Sequence, residues 1–289
     1  MTDDPFVTHR SLLFTVAYEM LGSRSDAEDV VQETWLRWAN VDAGEVRDPR
    51  AYLVRAVSRQ ALNRLRTLAR RREQYVGEWL PEPLLTAPDV ADDVELAESV
   101  SIAMLTVLET LGPVERAVFV LREVFDLPYD EIARTVDRSP AAVRQVAHRA
   151  REHVIARRPR ISVSAEEQQA VVERFRAALA DGDLEGLLDI LAPDVVVVAD
   201  GGGVVRAALR PVSGAKTVAR LLSRLAVEVP GVQIALTWLN GAPGLRIDPE
   251  GEFDTAVSVA VHDGRITRIY GIRNPQKLAE LHRVAVLAR

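Results

Sequence analysis

The sequence of 289 residues has no cysteine, and only Lys216 and Lys277 are lysines. A chain without cysteine forms no disulfide, no thiolate zinc site and no cysteine nucleophile. Its five histidines lack the spacing of metal ligands. We therefore predict neither a metal site nor a cofactor. Almost all of the positive charge is arginine throughout the chain. The choice of arginine over lysine at any one position therefore indicates no function.

Long apolar runs are also missing, and the N-terminus is acidic and polar without a basic region ahead of an apolar stretch. These absences predict neither a signal peptide nor a membrane span, so we expect a soluble cytoplasmic protein with no membrane partner. The length exceeds one typical domain and predicts two or three, each large enough for a core.

The net charge of −6 argues weakly against nucleic-acid binding, but the charge is unevenly distributed. Residues 47–72 contain nine arginines against one acid, and residues 134–160 contain eight arginines against two acids. Two basic patches in an acidic protein indicate local sites for a phosphate backbone.

Residues 127–151 have the pattern of two short helices joined by a tight turn, the second of them basic. Ser139 is a natural N-cap, and Pro140 is a natural first helical residue. Arginine pairs bidentately with guanine and glutamine with adenine, so the second helix has the composition of a DNA-reading helix. An ordinary amphipathic helical hairpin is the alternative for this segment alone.

The first three predicted helices cover residues 6–21, 26–40 and 49–72. The third keeps its apolar residues on one side and its arginines on the other, a face that is most often only solvated. Beside a helix-turn-helix, the same face becomes a candidate phosphate track.

Residues 77–93 contain three prolines and five acids, which predicts an extended linker, although Trp79 and Leu80 are apolar enough to dock on a surface. Helices over 94–111 and 114–124 follow. After residue 160 the pattern predicts α+β structure, with helices against a curved antiparallel sheet. The predicted helices cover 165–180, 183–191 and 214–227, and the predicted strands cover 194–199, a segment ending near 209, 232–239, 253–261 and 265–272.

The first 158 residues resemble the extracytoplasmic-function sigma factors of bacterial RNA polymerase. The segment from Asp26 to Arg37 resembles the polymerase-binding helix, the segment from Asp48 to Arg66 the part that opens and reads the −10 promoter element, and residues 114–153 the domain that reads the −35 element. The resemblance implies core RNA polymerase and promoter DNA as partners, and no catalysed reaction. The implied polymerase contacts are Asp29, Gln32, Glu33 and Trp35.

The implied contacts to the −10 element are Arg55, Arg59, Asn63 and Arg66. Many sigma factors carry aspartate where Asn63 lies, which leaves promoter choice open. For the −35 element we expect base contacts from Arg144, Gln145 and His148. The rest of that predicted set is Arg138, Ser139, Ala141, Arg149 and Arg151, with the arginines on phosphates.

The resemblance extends to the subgroup that carries a SnoaL-like domain after the sigma domains. The predicted fold is thus two all-α domains, helical region 2 (1–76) and helix-turn-helix region 4 (94–158), then an α+β SnoaL-like or NTF2-like conical domain (159–289), with residues 77–93 as linker. The subgroup's motifs match Trp79, Leu80, Pro81, Glu82, Pro83 and Leu84 in the linker, Asp200, Gly201, Gly202 and Gly203 in a turn, and Asn274, Pro275, Lys277 and Leu278 near the end. Val204 and Gln276 depart from the subgroup, which usually has lysine and aspartate there.

These motifs imply that the C-terminal domain regulates the sigma domains in cis and can hold a small-molecule ligand in its pocket, in a protein expected to be monomeric. An enzyme of this fold needs a pocket carboxylate or histidine, for which Asp200, Asp254 and His262 are candidates, although turn and edge roles suit them better. Two alternatives stay open: a helix-turn-helix transcription factor with a ligand sensor, and a SnoaL-like cyclase or isomerase fused to a DNA-binding domain.

Overall fold

The computed structural model describes residues 4–72, 74–158, 164–228, 231–249 and 254–289. The chain divides into two compact units. The first unit comprises Met1–Gln74, Leu105–Arg158 and Val286–Arg289, and the second comprises Tyr75–Met104 and Pro159–Ala285. Part of the predicted break near residue 159 lies outside the described residues.

The first unit is helical. Its helices are α1 (Pro5–Leu21), α2 (Arg24–Trp38), α3 (Pro49–Arg72), α6 (Pro113–Phe119), α7 (Tyr129–Val136) and α8 (Pro140–Arg157), with a π-helical turn over Val120–Val124 and the second half of α5 (Ile102–Leu108). Helix α1 ends at Gly22, whose φ of 66° is easily reached without a side chain. The Ser23 hydroxyl then accepts the amide of Asp26 at 3.2 Å and caps α2. The end of α1 is as the sequence predicts, whereas α2 begins at Arg24, two residues before the predicted start, because Ser23 is its cap.

A buried arginine joins α6 to α1 inside this unit. Arg116 is 1% exposed, and its Nε and Nη2 donate to the carbonyl oxygen of Glu19 at 3.1 and 3.0 Å. That carbonyl belongs to the last turn of α1, which lacks intrahelical donors and carries partial negative charge. Arg116 also forms an ion pair with Glu109. The guanidinium therefore caps α1 from a helix far along the chain.

The predicted helix-turn-helix is formed by α7 and α8. Helix α7 ends at Asp137, which has φ 56°, and the Ser139 hydroxyl accepts the amide of Ala142 at 3.2 Å. Ser139 and Pro140 thus act as the cap and first helical residue that the sequence predicts. The buried side of α8 consists of Val143, Ala147, Ala150 and Val154.

The second unit is α+β. It contains α4 (Val94–Val100), the start of α5, α9 (Ala165–Asp181), α10 (Leu184–Ile190), α11 (Ala215–Glu228) and α12 (Pro275–Leu278). Its strands are β1 (Leu191–Asp200), β2 (Val212–Ser213), β3 (Gln233–Leu239), β4 (Ala242–Asp248), β5 (Thr255–His262) and β6 (Arg265–Ile272). They form one sheet in the order β2-β1-β6-β5-β4-β3. The prediction of a purely antiparallel sheet is wrong, because β1 pairs with β6 in parallel.

Both faces of this sheet are covered. On one face Phe175, Leu187 and Val218 from α9, α10 and α11 pack against strand residues such as Val259 and Ile269. On the other face the covering residues come from the linker, α5 and the C-terminal segment: Leu80, Ile102, Ala103, Leu278 and Leu281. Residues 94–104, which the sequence prediction groups with region 4, therefore cluster with the sheet.

Three further predictions on secondary structure are wrong. The helix predicted over 94–111 breaks at Ser101, whose backbone is extended (ψ 145°) and whose hydroxyl accepts the amide of Met104 at 3.1 Å. The strand predicted to end near 209 is replaced by turns and the two-residue β2. Strand β4 was not predicted at all, and it pairs with β3 across the turn at Asn240 and Gly241.

Candidate nucleic-acid interface and linker clamp

Every residue predicted to contact the −35 element is exposed on α8 or just before it. Ala141 lies three and four residues before Arg144 and Gln145, and His148 lies four and three residues after them, so the four lie on one face of the helix. We call this set the recognition face. Arg138 and Ser139 precede its N-terminal end, while Arg149 and Arg151 flank it. The arrangement places the predicted base contacts in the centre and the guanidinium groups of the predicted phosphate contacts at the sides.

An aromatic ring lies beside this face. The guanidinium carbon of Arg144 is 5.7 Å from the ring centroid of Tyr129, the first residue of α7, and that of Arg122 is 5.0 Å from the same centroid. Arg122 is itself held by Asp126 at 2.8 Å and by the carbonyl oxygen of Leu127 at 3.1 Å. The sequence prediction did not include Tyr129.

Arg151 differs from the other predicted phosphate contacts because its guanidinium is already paired. Its Nη2 donates to both carboxylate oxygens of Glu123, to Oε1 at 2.9 Å and to Oε2 at 2.6 Å, and its Nε donates to Oε2 at 2.9 Å. This bidentate hydrogen bonding raises the pKa of Arg151 above its ordinary value. His148 lies 3.5 Å from the carboxylate of Glu152 on the same face.

The four predicted contacts to the −10 element share one side of α3. Arg59, Asn63 and Arg66 are exposed and Arg55 is partly exposed, and Nη1 of Arg66 lies 3.4 Å from Oδ1 of Asn63. Their spacing of three or four residues gives a continuous polar stripe along the helix. The structure therefore brings these four residues together.

The predicted polymerase-binding residues also form one exposed surface, on α2. Asp29, Gln32, Glu33 and Trp35 are all exposed, the last by 45%. Arg64 of α3 donates to Asp26 at 2.6 Å and to Asp29 at 3.1 Å. Because of these acids, the pKa of Arg64 is raised despite its partial burial. Arg64 thus links the acidic face of α2 to the arginine-rich helix, a contact that the sequence prediction missed.

In the second unit, the linker is held by a buried ion pair between Asp200 and Lys277. The two residues are 0% and 8% exposed, and Nζ of Lys277 lies 2.7 Å from Oδ2 of Asp200. Nζ also donates to the carbonyl oxygen of Leu80 and lies 3.9 Å from the ring centroid of Trp79. A charge this deeply buried is stable only with such a full set of partners.

The carboxylate of Asp200 has four donors around it. Besides Lys277, it accepts the Leu80 amide at 2.9 Å, the Tyr75 hydroxyl at 2.6 Å and the Gly202 amide at 3.0 Å. The Tyr75 oxygen in turn accepts the Asn274 side chain at 2.9 Å. We call Tyr75, Leu80, Asp200, Asn274 and Lys277 the linker clamp. It joins all three motifs that the sequence singled out, and Tyr75 is the member that the sequence prediction missed.

The glycine turn is built closely against the clamp. A Cβ on Gly202 would lie 2.3 Å from the Asn274 side chain, and Gly202 has φ 64°. A Cβ on Gly201 would lie 2.3 Å from the carbonyl oxygen of Val205. Any residue other than glycine would therefore clash with its neighbours at both positions of the turn. The remaining motif residues support the linker: Pro81, Pro83, Leu84 and Leu278 are buried, Glu82 is partly buried, and Gly203 and Pro275 flank the clamp in sequence.

A second buried residue anchors the linker at its other end. Asn240 is 0% exposed, accepts the Leu84 amide at 2.8 Å and donates to the carbonyl oxygen of Val100 at 2.8 Å. The neighbouring Gly241 amide donates to the Thr86 hydroxyl at 3.0 Å. The turn between β3 and β4 therefore satisfies the polar groups of the linker as well as reversing the chain.

The three candidate catalytic groups of the C-terminal domain have structural partners. Asp200 lies in the linker clamp. Asp254 accepts two hydrogen bonds from Arg273, at 2.8 and 2.7 Å, which lower the pKa of that carboxyl. His262 lies at the end of β5, 3.5 Å from Asp263. None of the three lines the cavity of the second unit that the described residues form.

A cavity of about 190 Å³ lies between the linker, the C-terminal segment and the strands β3 to β5. Its lining is mostly apolar: Leu85, Thr237, Leu239, Leu245, Arg246, Ala256, Leu281 and His282. This volume is below that of typical drug-sized sites. Within the described residues, no group of three or more candidate metal ligands is found and no helix is long and apolar enough to cross a membrane.

Comparison with known proteins identifies the family. The model for sigma-70 region 2 matches residues 6–71, and that for sigma-70 region 4 matches residues 101–154. The ECF RNA polymerase sigma factor SigJ of Mycobacterium tuberculosis is 39% identical over 94% of this chain and 91% of its own length. A probable ECF RNA polymerase sigma factor of the same species, SigI, is 34% identical over 94% and 93%.

The crystal structure of M. tuberculosis SigJ covers 95% of this chain and 97% of its own, with 36% identity and a TM-score of 0.79. The predicted fold class, helical sigma domains followed by an α+β domain, is thereby confirmed. Since the match covers both units, it favours a sigma factor over a conventional helix-turn-helix regulator. The chain belongs to the ECF family of RNA polymerase sigma factors.

Proposed function

We propose that this sigma factor acts in the cytoplasm, where it binds core RNA polymerase through the exposed face of α2 and reads promoter DNA with α3 and α8. The observation that carries the proposal is the recognition face, in which Arg144, Gln145 and His148 are exposed on a helix whose opposite side is buried. In this proposal α3 contacts the −10 element through Arg55, Arg59, Asn63 and Arg66. The protein itself catalyses no reaction.

Run-off transcription with core polymerase and the full chain tests the base contacts. Arg144→Ala is expected to reduce the preference for a matched over a mismatched −35 element by about 1 to 3 kcal/mol, because a bidentate base contact is lost. Arg220→Ala is the matched control, since Arg220 is an exposed helical arginine of the second unit. Equal losses on matched and mismatched promoters would contradict base reading by Arg144.

We also propose that the second unit regulates the sigma domains in cis through the linker clamp. The support is that Trp79 and Leu80, which belong to the segment between the two sigma regions, are held by Asp200 and Lys277 of the C-terminal domain. Release of the clamp would therefore change the freedom of the chain between region 2 and region 4. Transcription by Trp79→Ala in the full chain is expected to differ from that of the unaltered protein. Identical promoter output would contradict regulation through the linker.

A small apolar ligand and a monomeric state complete the proposal. The cavity lined by Leu85, Leu239 and Leu281 contacts the linker and the C-terminal segment at once, so a ligand there would favour the docked linker. Its small volume restricts such a ligand to a few heavy atoms of the size of a single aromatic ring. Sedimentation measurements are expected to give the mass of one chain, and a dimer mass would overturn the monomeric state.

A further inference from the structure

We infer that Tyr129 is a positioning residue that holds Arg144 in the orientation needed to read the −35 element. The inference rests on the proposed function of the recognition face and deepens it. Tyr129 contacts no predicted base itself. Its role is to fix the side chain that does.

Tyr129 is the first residue of α7 and is partly buried. The Arg144 guanidinium carbon lies 5.7 Å from the ring centroid, within the range in which the ring quadrupole attracts a cation. Arg144 is otherwise exposed, so its proximity to the ring limits the rotamers that its side chain adopts.

The Tyr129 ring is itself fixed. Arg122 lies 5.0 Å from the same centroid and is anchored by Asp126 at 2.8 Å and by the carbonyl oxygen of Leu127 at 3.1 Å. The Tyr129 ring thus lies near two guanidinium groups. That of Arg122 is anchored by its hydrogen-bond partners, and that of Arg144 is exposed. A chain of contacts runs from the loop before α7 to the recognition face.

A flexible arginine loses side-chain entropy when it binds a base, and a side chain already held in place loses less. The gain appears only when the arginine forms its directional base contact. A phosphate contact tolerates several orientations and gains little. Tyr129 should therefore affect the discrimination between bases more than the overall affinity for DNA.

The test uses the full chain with core polymerase and compares initiation on a matched promoter with initiation on promoters substituted in the −35 element. Tyr129→Leu removes the ring, and the preference for the matched promoter is expected to fall about two- to five-fold, equivalent to the 0.5 to 1 kcal/mol of an exposed cation–π contact. Tyr129→Phe keeps the ring and should retain the preference of the unaltered protein. A purely structural role of the hydroxyl predicts instead that Tyr129→Phe lowers it.

Pentafluorophenylalanine at position 129 separates electrostatics from packing. It keeps the shape of the ring but reverses the quadrupole, so it should lower the preference as Tyr129→Leu does. Because the shape is kept, this substitution still tests the inference if Tyr129→Leu folds poorly. The inference is overturned if the fluorinated ring preserves the full preference, or if all three variants lower initiation equally on every promoter.

Arg144→Ala distinguishes failure of base reading by Arg144 from failure of positioning by Tyr129. If Arg144→Ala leaves the preference unchanged, base reading by Arg144 fails and the role of Tyr129 fails with it. If Arg144→Ala lowers the preference while Tyr129→Leu and the fluorinated ring do not, only the positioning role is wrong. In the background of Arg144→Ala, loss of the Tyr129 ring is expected to have no further effect on the preference.

Discussion

The recognition face and the linker clamp place their charged side chains in opposite environments. On the recognition face, Arg144, Gln145 and His148 are exposed and most of their hydrogen-bonding capacity is directed to solvent. In the linker clamp, Asp200 and Lys277 are buried and every described contact is made within the protein. Exposed groups can be exchanged with little effect on folding, whereas buried charges depend on one another. The proposed contacts with DNA and the proposed regulation through the linker thus involve exposed and buried groups, respectively.

Loss of the buried cation would be the most severe test of this contrast. Lys277→Met leaves the carboxylate of Asp200 without its cation in a buried site, and we expect the free energy of unfolding to fall by about 3 to 5 kcal/mol. Urea denaturation monitored by tryptophan fluorescence measures the loss. Trp79 lies against Lys277, so its emission should change as well.

Lys216→Met is the matched control for that measurement. Lys216 is the other lysine of the chain and is exposed on α11, so its removal should cost less than about 0.5 kcal/mol. Adding Asp200→Asn to Lys277→Met should recover part of the loss, because no unpaired charge then remains buried. Equal losses for the two lysine variants would show that the buried pair contributes nothing special.

Alkaline pH offers a milder way to weaken the same clamp. Burial, and next the hydrogen bond to Asp200, raise the pKa of Tyr75 above its ordinary value of about 10. The neutral phenol is therefore favoured by folding, and this contribution is complete below pH 10. Above pH 10 the unfolded chain loses the proton first, so the free energy of unfolding falls as the pH rises.

Tyr75→Phe should remove that part of the alkaline slope. The slope is at most one proton, or about 1.4 kcal/mol per pH unit, and solvent around the half-buried ring makes it smaller. Denaturation curves recorded between pH 8 and pH 11 measure the difference between the two proteins. Identical slopes would mean that Tyr75 does not titrate as a member of the clamp.

The sequence predicted which side of α8 is exposed, because the signals for this are local. Ser139 and Pro140 define where α8 begins, and the apolar residues Val143, Ala147 and Ala150 define which side is buried. The residues of the recognition face then lie on the opposite, exposed side of the helix. The same reasoning placed the polar stripe of α3 and the acidic face of α2.

The linker clamp could not be derived in this way, because its partners lie far apart in the chain. Tyr75 and Asp200 are separated by 125 residues, and Lys277 and Leu80 by 197. Only the resemblance to a family brought the three motifs together in advance. Parallel pairing of β1 with β6 is likewise a long-range property that strand patterns do not determine.

Strand β4 is a different case, because a local signal was present. Asn240 and Gly241 have φ values of 53° and 74°, as a type I′ turn requires, and Asn-Gly is a strong hairpin signal. Pro243 and Gly244 directly after it indicate a break in a strand, and this obscured the signal. β4 tolerates Pro243, which lies opposite Trp238 at the hairpin end of the strand.

The smallest expected effect concerns two arginines at the side of the recognition face, and it refines the contrast between free and paired charges. Arg149 is exposed, whereas Arg151 is paired bidentately with Glu123. A phosphate that binds Arg151 has to compete with this carboxylate, so Arg149→Ala should lower DNA affinity more than Arg151→Ala, uniformly across promoter sequences. Arg149→Ala should also reduce the dependence of log K on log salt by about one. Glu123→Gln should free Arg151 and make its later removal more costly. If both arginines instead contribute equally with Glu123 present, the ion pair opens at negligible cost when DNA binds, and pairing at an exposed surface does not restrain function in the way that burial does.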